Sequence, residues 1–259
     1  MVIGVSSVLE LLSKWVDIQL QRVFHLSPIY LKDSWYFLNE IRDLKEIEGC
    51  TLVTSDAKAM YSNINTQHAA ETIDKWFEPY QSEFPPHYPT DLILEILERL
   101  MNYNVFTFGN KFFIQINGTA MGTNTACMYA AIEYSYHEET MAMKHNSVKL
   151  YRRLIDDAFV FFKDEGNNFQ TLQDLMNDFW PEGKRLAWVA TKPTISVAFL
   201  DLTIRITDSG EITTTTFLKA YNLYLYYHPP TMSSHSTFLE CDVTKEKYTI
   251  VLQYYYNFI

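Results

Sequence analysis

The sequence predicts an α+β fold in which an antiparallel sheet is covered by helices on one face. Two observations carry that prediction. Apolar residues recur at the helical period in several stretches, and between them stand short β-branched and aromatic runs punctuated by Gly, Asn, Ser or Asp. A third observation excludes disorder as the default: 259 residues with 47% hydrophobic and 15% aromatic content are ample for a buried core.

Taken in order, Val8, Leu11, Leu12, Trp15 and Ile18 fall on one face of an amphipathic helix, and that face is predicted to pack. A second helix is expected over Trp35 to Leu44, then a short strand, Thr51 to Ser55, that delivers Asp56 at its end. A helix from about Thr66 to Phe77 and a Pro-containing loop, Phe84 to Pro89, come next. Thr90 is the expected N-cap of a helix whose Ile93, Ile96, Leu97, Leu100 and Met101 keep the 3.6-residue period. Gly109-Asn110 reads as a two-residue hairpin turn between Val105 to Phe108 and Lys111 to Ile116. The Gly118 to Gly122 turn opens a long helix from about Asn124 to Met143. Val148 to Ile155 and Ala158 to Lys163 are paired strands with two aspartates at their junction. Phe169, Leu172, Leu175, Met176 and Phe179 are in register on a helix from about Asn168 to Phe179. The remainder reads as strand: Ala187 to Thr191, Ser196 to Ile206, and Ile212 to Leu218 across Ser209-Gly210.

Composition narrows the function classes. No run of about 18 apolar residues is present, and Glu10, Lys14 and Asp17 stand where a secretory leader needs an apolar stretch. The expectation is an intracellular protein, nuclear or cytoplasmic, not secreted and without a membrane partner. Cys50, Cys127 and Cys241 are far apart and form no C-x-x-C pair, which predicts free thiols rather than disulfides or a zinc knuckle. The histidines are scattered without metal-ligand spacing. A net charge of -10 runs against nucleic-acid binding, which favours Lys and Arg facing phosphates, although a site for divalent cations is itself acidic.

The segment RRLIDDAFVFF sets Asp156 and Asp157 between two apolar, β-prone runs. Unpaired carboxylates inside a buried sheet are costly, so a hairpin turn that points them at solvent or cations is predicted. Alone, the pair also reads as a plain Asp-rich turn. Asp56 is a second carboxylate of the same kind, again where an apolar strand ends. Two strand-end sites of this type can converge on a pair of Mg²⁺ ions, the arrangement used in nucleotidyl transfer.

These residues also carry a resemblance. Asp56-Ala-Lys-Ala-Met-Tyr61-Ser-Asn-Ile resembles motif A, D-V-K-S-L-Y-T-N-I, of the reverse transcriptases of Penelope-like retroelements. Gln115-Ile-Asn-Gly118-Thr-Ala-Met-Gly122-Thr resembles their motif B, Q-I-x-G-T-A-M-G-T, and Arg153-Leu-Ile-Asp156-Asp157 their motif C, R-Y-I-D-D. Phe199-Leu-Asp201-Leu-Thr-Ile is similar to F-L-D-L-x-I, and Lys219 through His235 loosely follows the segment beyond it. The resemblance implies a polymerase palm and an RNA-directed DNA polymerase acting on an RNA template, a DNA primer and dNTPs. It implies two Mg²⁺ ions, or Mn²⁺ in their place, held by Asp56 and Asp156 with Asp157 as a closer supporting or partial ligand. Tyr61 would sit against the sugar of the incoming nucleotide and exclude a 2′-hydroxyl, ordinary core packing being its other reading. Gly118 and Gly122 would let the backbone approach the nucleotide pocket. Gln115 would hydrogen-bond there or lie on the surface, and Lys58 would contact phosphate or be simply solvated. Asp201 reads as structural.

The sequence departs from the pattern in places. Leu154-Ile155 precedes the motif C aspartates where the family has Tyr, His235-Ser236 replaces H-P, and Lys219-Ala-Tyr221 replaces K-P-T. The expected organisation is partial fingers and N-terminal helices over 1–50, a palm-like core over 51–206, and palm or primer-grip-like strands with a truncated C-terminal region over 207–259, with little or no thumb. A degenerate, non-catalytic descendant acting as a binding module is the alternative that the acidic charge favours. A template-independent two-metal transferase or cyclase is a third class.

Overall fold

The computed structural model describes residues 9–42, 44, 47–64, 66–120, 122–163, 169–177 and 187–217. Two compact units divide the chain, Met1–Thr216 and Phe217–Ile259, and every element below belongs to the first. The segments Lys219 to His235 and Tyr248 to Ile259, together with Cys241, lie outside the described residues.

Helices α1 (Glu10–Phe24) and α2 (Ser34–Arg42) precede strand β1 (Thr51–Lys58). After β1 come α3 (Met60–Asn63), α4 (Thr66–Phe77), a 3₁₀ helix (Glu78–Glu83) and α5 (Thr90–Asn102). The hairpin β2 (Val105–Phe108) and β3 (Lys111–Ile114) leads to the long helix α6 (Ala126–Lys144). Then follow β4 (Val148–Leu154), β5 (Asp157–Phe162), α7 (Phe169–Asn177), β6 (Ala187–Ala190), β7 (Ser196–Phe199), β8 (Leu202–Ile206) and β9 (Ile212–Thr216).

The central sheet runs in the order β4-β5-β1-β6, and its pairs are antiparallel. Helices cover one face as expected, with Val53, Ala57, Ala158, Val160 and Phe162 packing against α1, α4, α5 and α6. The opposite face is closed too: Leu52, Phe159 and Phe161 meet Phe37 and Ile41 of α2 and the apolar side of the β7-β8-β9 sheet. Closure on both faces explains why β5 reads as an uninterrupted apolar run, with Ala158 through Phe162 all fully buried. Phe159 is edge-on to Phe37 with ring centres 4.8 Å apart, and 5.2 Å from Phe199. Glu139 ties three helical segments together on the other face, accepting from Ser27 Oγ, Trp76 Nε1 and Tyr80 Oη at 2.7, 2.9 and 3.0 Å.

Several expectations need correction. Helix α1 packs through Val16, Leu20, Val23 and Phe24, while Leu11, Leu12 and Ile18 are exposed. The helix runs one and a half turns past Ile18, and its later turns decide the buried face, with Ser13 and Gln19 buried beside them. Thr90 is the first helical residue of α5, and Pro89 occupies the cap without a side-chain hydrogen bond. Strand β1 continues to Lys58, because its last four residues pair with β6, so Asp56 is inside the strand. Ser196 to Ile206 is a hairpin rather than one strand: Phe199 pairs with Leu202 across a turn in which Leu200 has φ 53°. Asp201 of that turn accepts a hydrogen bond from Ser34 Oγ at 3.3 Å. Among the described residues no helix is long and apolar enough to cross a membrane. Cys50 and Cys127 are free thiols.

Candidate active site

The register of β1 on β5 places Asp56 opposite Asp157, and the Ala57 N–H donates to the Asp156 carbonyl at 2.9 Å. Directly paired residues project on the same face of a sheet. Leu52, four residues before Asp56, lies on that face and joins the core beneath α2, whereas Val53 and Ala57 join the helical core. Asp56 and Asp157 therefore share the face turned away from α4, α5 and α6. Asp157 is exposed, Asp156 is half-buried in the hairpin turn, and Asp56 keeps 45% of its side-chain surface.

Like charges directly opposite on a sheet are destabilising. Lys58, two residues on and on the same face, offsets this by ion-pairing Asp56 Oδ2 through its Nζ. Both groups are well exposed, so the pair contributes roughly 0.2–1 kcal/mol. Three carboxylates are the oxygen donors that Mg²⁺ and Mn²⁺ prefer, and the backbone brings all three to one sheet end. By donor chemistry and strand placement they fit a hard cation. Among the described residues, however, no three Asp, Glu, His or Cys side chains are already gathered as a ligand cluster. The Lys58 ammonium supplies positive charge on Asp56 instead.

The Ile155-Asp156 turn links β4 to β5, with Leu154 paired to Asp157. Ile155 has φ 57°, while Asp156 is not in the left-handed region, a pattern of the II′ turn class that normally takes Gly at the first position. A β-branched residue there is strained by about 1–3 kcal/mol. Beside the turn, Arg153 is buried and paired with Glu138 of α6 at 2.7 Å. Burial pushes the Glu138 carboxyl up, and the Arg153 charge opposes that rise. Glu133, one turn earlier, is also fully buried, its oxygens lack hydrogen-bond partners, and burial drives its pKa far above the ordinary carboxylate range. Neither glutamate was singled out from sequence, and Arg153 entered only as the first residue of the motif C match, without a role. The available signal was strand alternation, which sets Arg153 on the same inward face as Tyr151.

Tyr61 stands on α3, which starts after Ala59 at φ 54°. Its ring is half-buried against the helical core. Burial raises its hydroxyl pKa, with Cys127 and Asp156 adding to the rise, so the ring stands near both α6 and the aspartate turn. Gly118 is pressed on this segment. Its N–H donates to Ile64 O at 2.8 Å, and the next amide, Thr119 N–H, to Tyr61 O at 2.7 Å. A Cβ at Gly118 would come 2.6 Å from Tyr61 O and 2.8 Å from Ser62 Cα, and the residue has φ 74°. Glycine is required there on both counts. The close approach is thus to the Tyr61–Ser62 backbone. Gln115 follows β3; its side-chain Nε2 donates to Asn117 O at 2.9 Å, and its Oε1 is buried without a partner. Gly122 is half-buried in the turn before α6.

The sequence matches no protein-family model and no curated protein. Solved structures are similar. An apo telomerase from Candida tropicalis, truncated from its C-terminal domain, superposes with TM-score 0.55 and 14% identity over 82% of this chain and 46% of that one. A telomerase from Candida albicans, in complex with a TWJ fragment of telomeric RNA, gives 0.57 and 16% over 78% and 39%. The chain therefore spans less than half the length of these structures. At such identities the likeness establishes architecture, and the described chain has an α+β, polymerase palm-like fold.

Proposed function

We propose that the chain carries the catalytic centre of an RNA-directed DNA polymerase of the retroelement kind, extending a DNA primer with dNTPs on an RNA template. The observation that carries this reading is the convergence of three segments distant in sequence. Asp56 is registered against Asp157, the Ala57 amide takes the Asp156 carbonyl, and Gly118 is wedged on the backbone of Tyr61. The polymerase-like fold supports the reading, and the telomeric RNA in one similar structure is in keeping with an RNA partner.

In this reading Asp56 and Asp156 would hold two Mg²⁺ ions, with Asp157 supporting and Mn²⁺ as a substitute. Such ions would activate the primer 3′-hydroxyl and stabilise pyrophosphate as it leaves. The Lys58 ammonium, paired with Asp56 in the free chain, would exchange that carboxylate for a triphosphate oxygen. Tyr61 excludes a 2′-hydroxyl by bulk, a discrimination achieved by a clash rather than by an added contact. Gly118 holds that ring's backbone, and Gln115 and Gly122 would belong to the nucleotide pocket beside it.

Primer extension on an RNA template with Mg²⁺ or Mn²⁺ tests the proposal. Incorporation should disappear in Asp156→Asn, and Tyr61→Ala should increase ribonucleotide use; a chain that incorporates no more than the Asp156→Asn control sinks it. One observation favours a second reading, a degenerate chain that only binds partners: the Asp56 carboxylate is already neutralised by Lys58 in a protein of net charge -10. That reading requires Mn²⁺ binding to be the same in the wild type and in Asp56→Asn.

A further inference from the structure

Arg153 is a charged side chain, 3% exposed, that no step above uses. Its guanidinium makes four hydrogen bonds. Nε donates to Glu138 Oε2 at 2.7 Å, Nη2 to Ala131 O at 2.8 Å and Ser135 Oγ at 3.2 Å, and Nη1 to Ile155 O at 2.7 Å. Three of these acceptors belong to α6 and the fourth is the first carbonyl of the aspartate turn. The turn's second carbonyl, Asp156 O, is taken from the other side by the Ala57 amide of β1. Both peptide carbonyls of a two-residue turn are thus held by outside donors; Asp156 lies between them, and the residue that carries the first is a β-branched Ile at φ 57°. Such a conformation persists where its surroundings over-determine it. A planar fork with five donors can span these acceptors, whereas a lysine, with its donors on one atom, cannot.

We propose that Arg153, anchored by Glu138, is the positioning residue for Asp156: it clamps the Ile155 carbonyl and so keeps the strained turn, and the aspartate it carries, in place. The purpose of the clamp rests on the nucleotidyl-transfer reading, while its geometry stands apart from it. Its neighbours fit the assignment. Glu138 is buried on the inward side of α6, and Ser135 Oγ, which receives one Arg153 donor, itself donates to Ala131 O at 2.7 Å.

The test uses the whole chain in four forms: wild type, Arg153→Lys, Ile155→Gly and the double variant. Two quantities are read, amide hydrogen exchange at Ala57, whose N–H is bonded to Asp156 O, and Mn²⁺ affinity by titration. Arg153→Lys is expected to speed Ala57 exchange about tenfold and weaken Mn²⁺ binding by about tenfold, as loss of a ligand's supporting partner does. Glycine adopts the left-handed turn without strain, so Ile155→Gly in the Arg153→Lys background is expected to return both quantities most of the way. A merely structural ion pair would lower the thermal midpoint and gain nothing from glycine in the turn. The proposal is overturned if folded Arg153→Lys exchanges at the wild-type rate, or if the double variant shows no recovery. Should Arg153→Lys not fold, Ile155→Gly alone decides. With the clamp intact its Ala57 exchange stays near wild type, and a rise of about tenfold means that the Ile155 side chain holds the turn. Absence of Mn²⁺ binding by the wild type counts against the polymerase reading, and the exchange arms then judge the clamp alone.

Discussion

Replacing Gly118 by Ala separates two costs that are usually confounded. The first is conformational: a left-handed backbone costs a residue with a Cβ about 1–2 kcal/mol. The second is steric, because the new carbon would lie 2.6 Å from Tyr61 O and 2.8 Å from Ser62 Cα. Both neighbours are backbone atoms fixed by the Gly118-to-Ile64 and Thr119-to-Tyr61 hydrogen bonds, so neither can rotate away. Forced overpacking of this kind costs typically about 1–3 kcal/mol more. Gly109 supplies the control: it has φ 61° and nothing within 4 Å of an added Cβ. Gly109→Ala should therefore show the conformational cost alone, and Gly118→Ala the sum, about 2–5 kcal/mol. Urea titrations of both variants and the wild type measure the difference, and a drop in thermal midpoint of roughly 6–12 °C accompanies a loss of about 3 kcal/mol in a unit of this size. Equal destabilisation by the two substitutions would refute the wedge of Gly118 on α3, and with it the coupling of that loop to Tyr61.

Three further outcomes follow from the same geometry. Phe159→Ala, which empties the contact between Phe37 and Phe199, should cost about 3–5 kcal/mol in urea unfolding; a loss under about 1 kcal/mol would contradict closure of the second sheet face. Lys58→Met frees Asp56 from an exposed ion pair of roughly 0.2–1 kcal/mol, so Mn²⁺ should bind roughly 1.4- to fivefold tighter by calorimetric titration. Burial pushes the Asp17 carboxyl up to about 6 from 3.8, against the lowering by its hydrogen bond from Gln21. The folded state thus holds that proton more tightly than the unfolded chain, and the stability it brings is complete below 3.8 and is lost as pH rises through about 6. Asp17→Asn should flatten the dependence of the thermal midpoint across that window; an unchanged slope would show that Asp17 is not its source.

Where local chemistry decides structure, the sequence is legible. The Gly109-Asn110 hairpin and the turn at Asp156 were readable because a turn residue or a costly charge interrupts an apolar run. The Ser196 to Ile206 break was not, since Leu200 at φ 53° gives no Gly or Asn signal. Period alone selected the Leu11 and Ile18 face of α1, whereas the partners beyond the helix bury Val16, Leu20 and Val23. Strand β1 gained its final residues from pairing with β6, more than a hundred residues away. Of the candidate site, the three aspartates and Tyr61 could be named from sequence, but their mutual placement could not. The partnership of Glu138 with Arg153 was hidden because Ala126 to Glu139 is buried or half-buried all round, so helical periodicity gives no contrast there.

The register that joins the aspartates also orders their arrival during folding. Strands β4 and β5 form a local hairpin across two residues, whereas β1 reaches β5 only by closing more than a hundred residues of chain, as the Thr51 to Phe162 bond shows. Loop-closure entropy makes the first pairing early and the second late. Asp156 and Asp157 are consequently in their turn before Asp56 is delivered to it, and the face they share with it is the product of a late, long-range pairing. A partly folded chain can protect β4 and β5 amides from exchange while Ala57 still exchanges freely, so the hairpin's presence is no sign that the carboxylates have met.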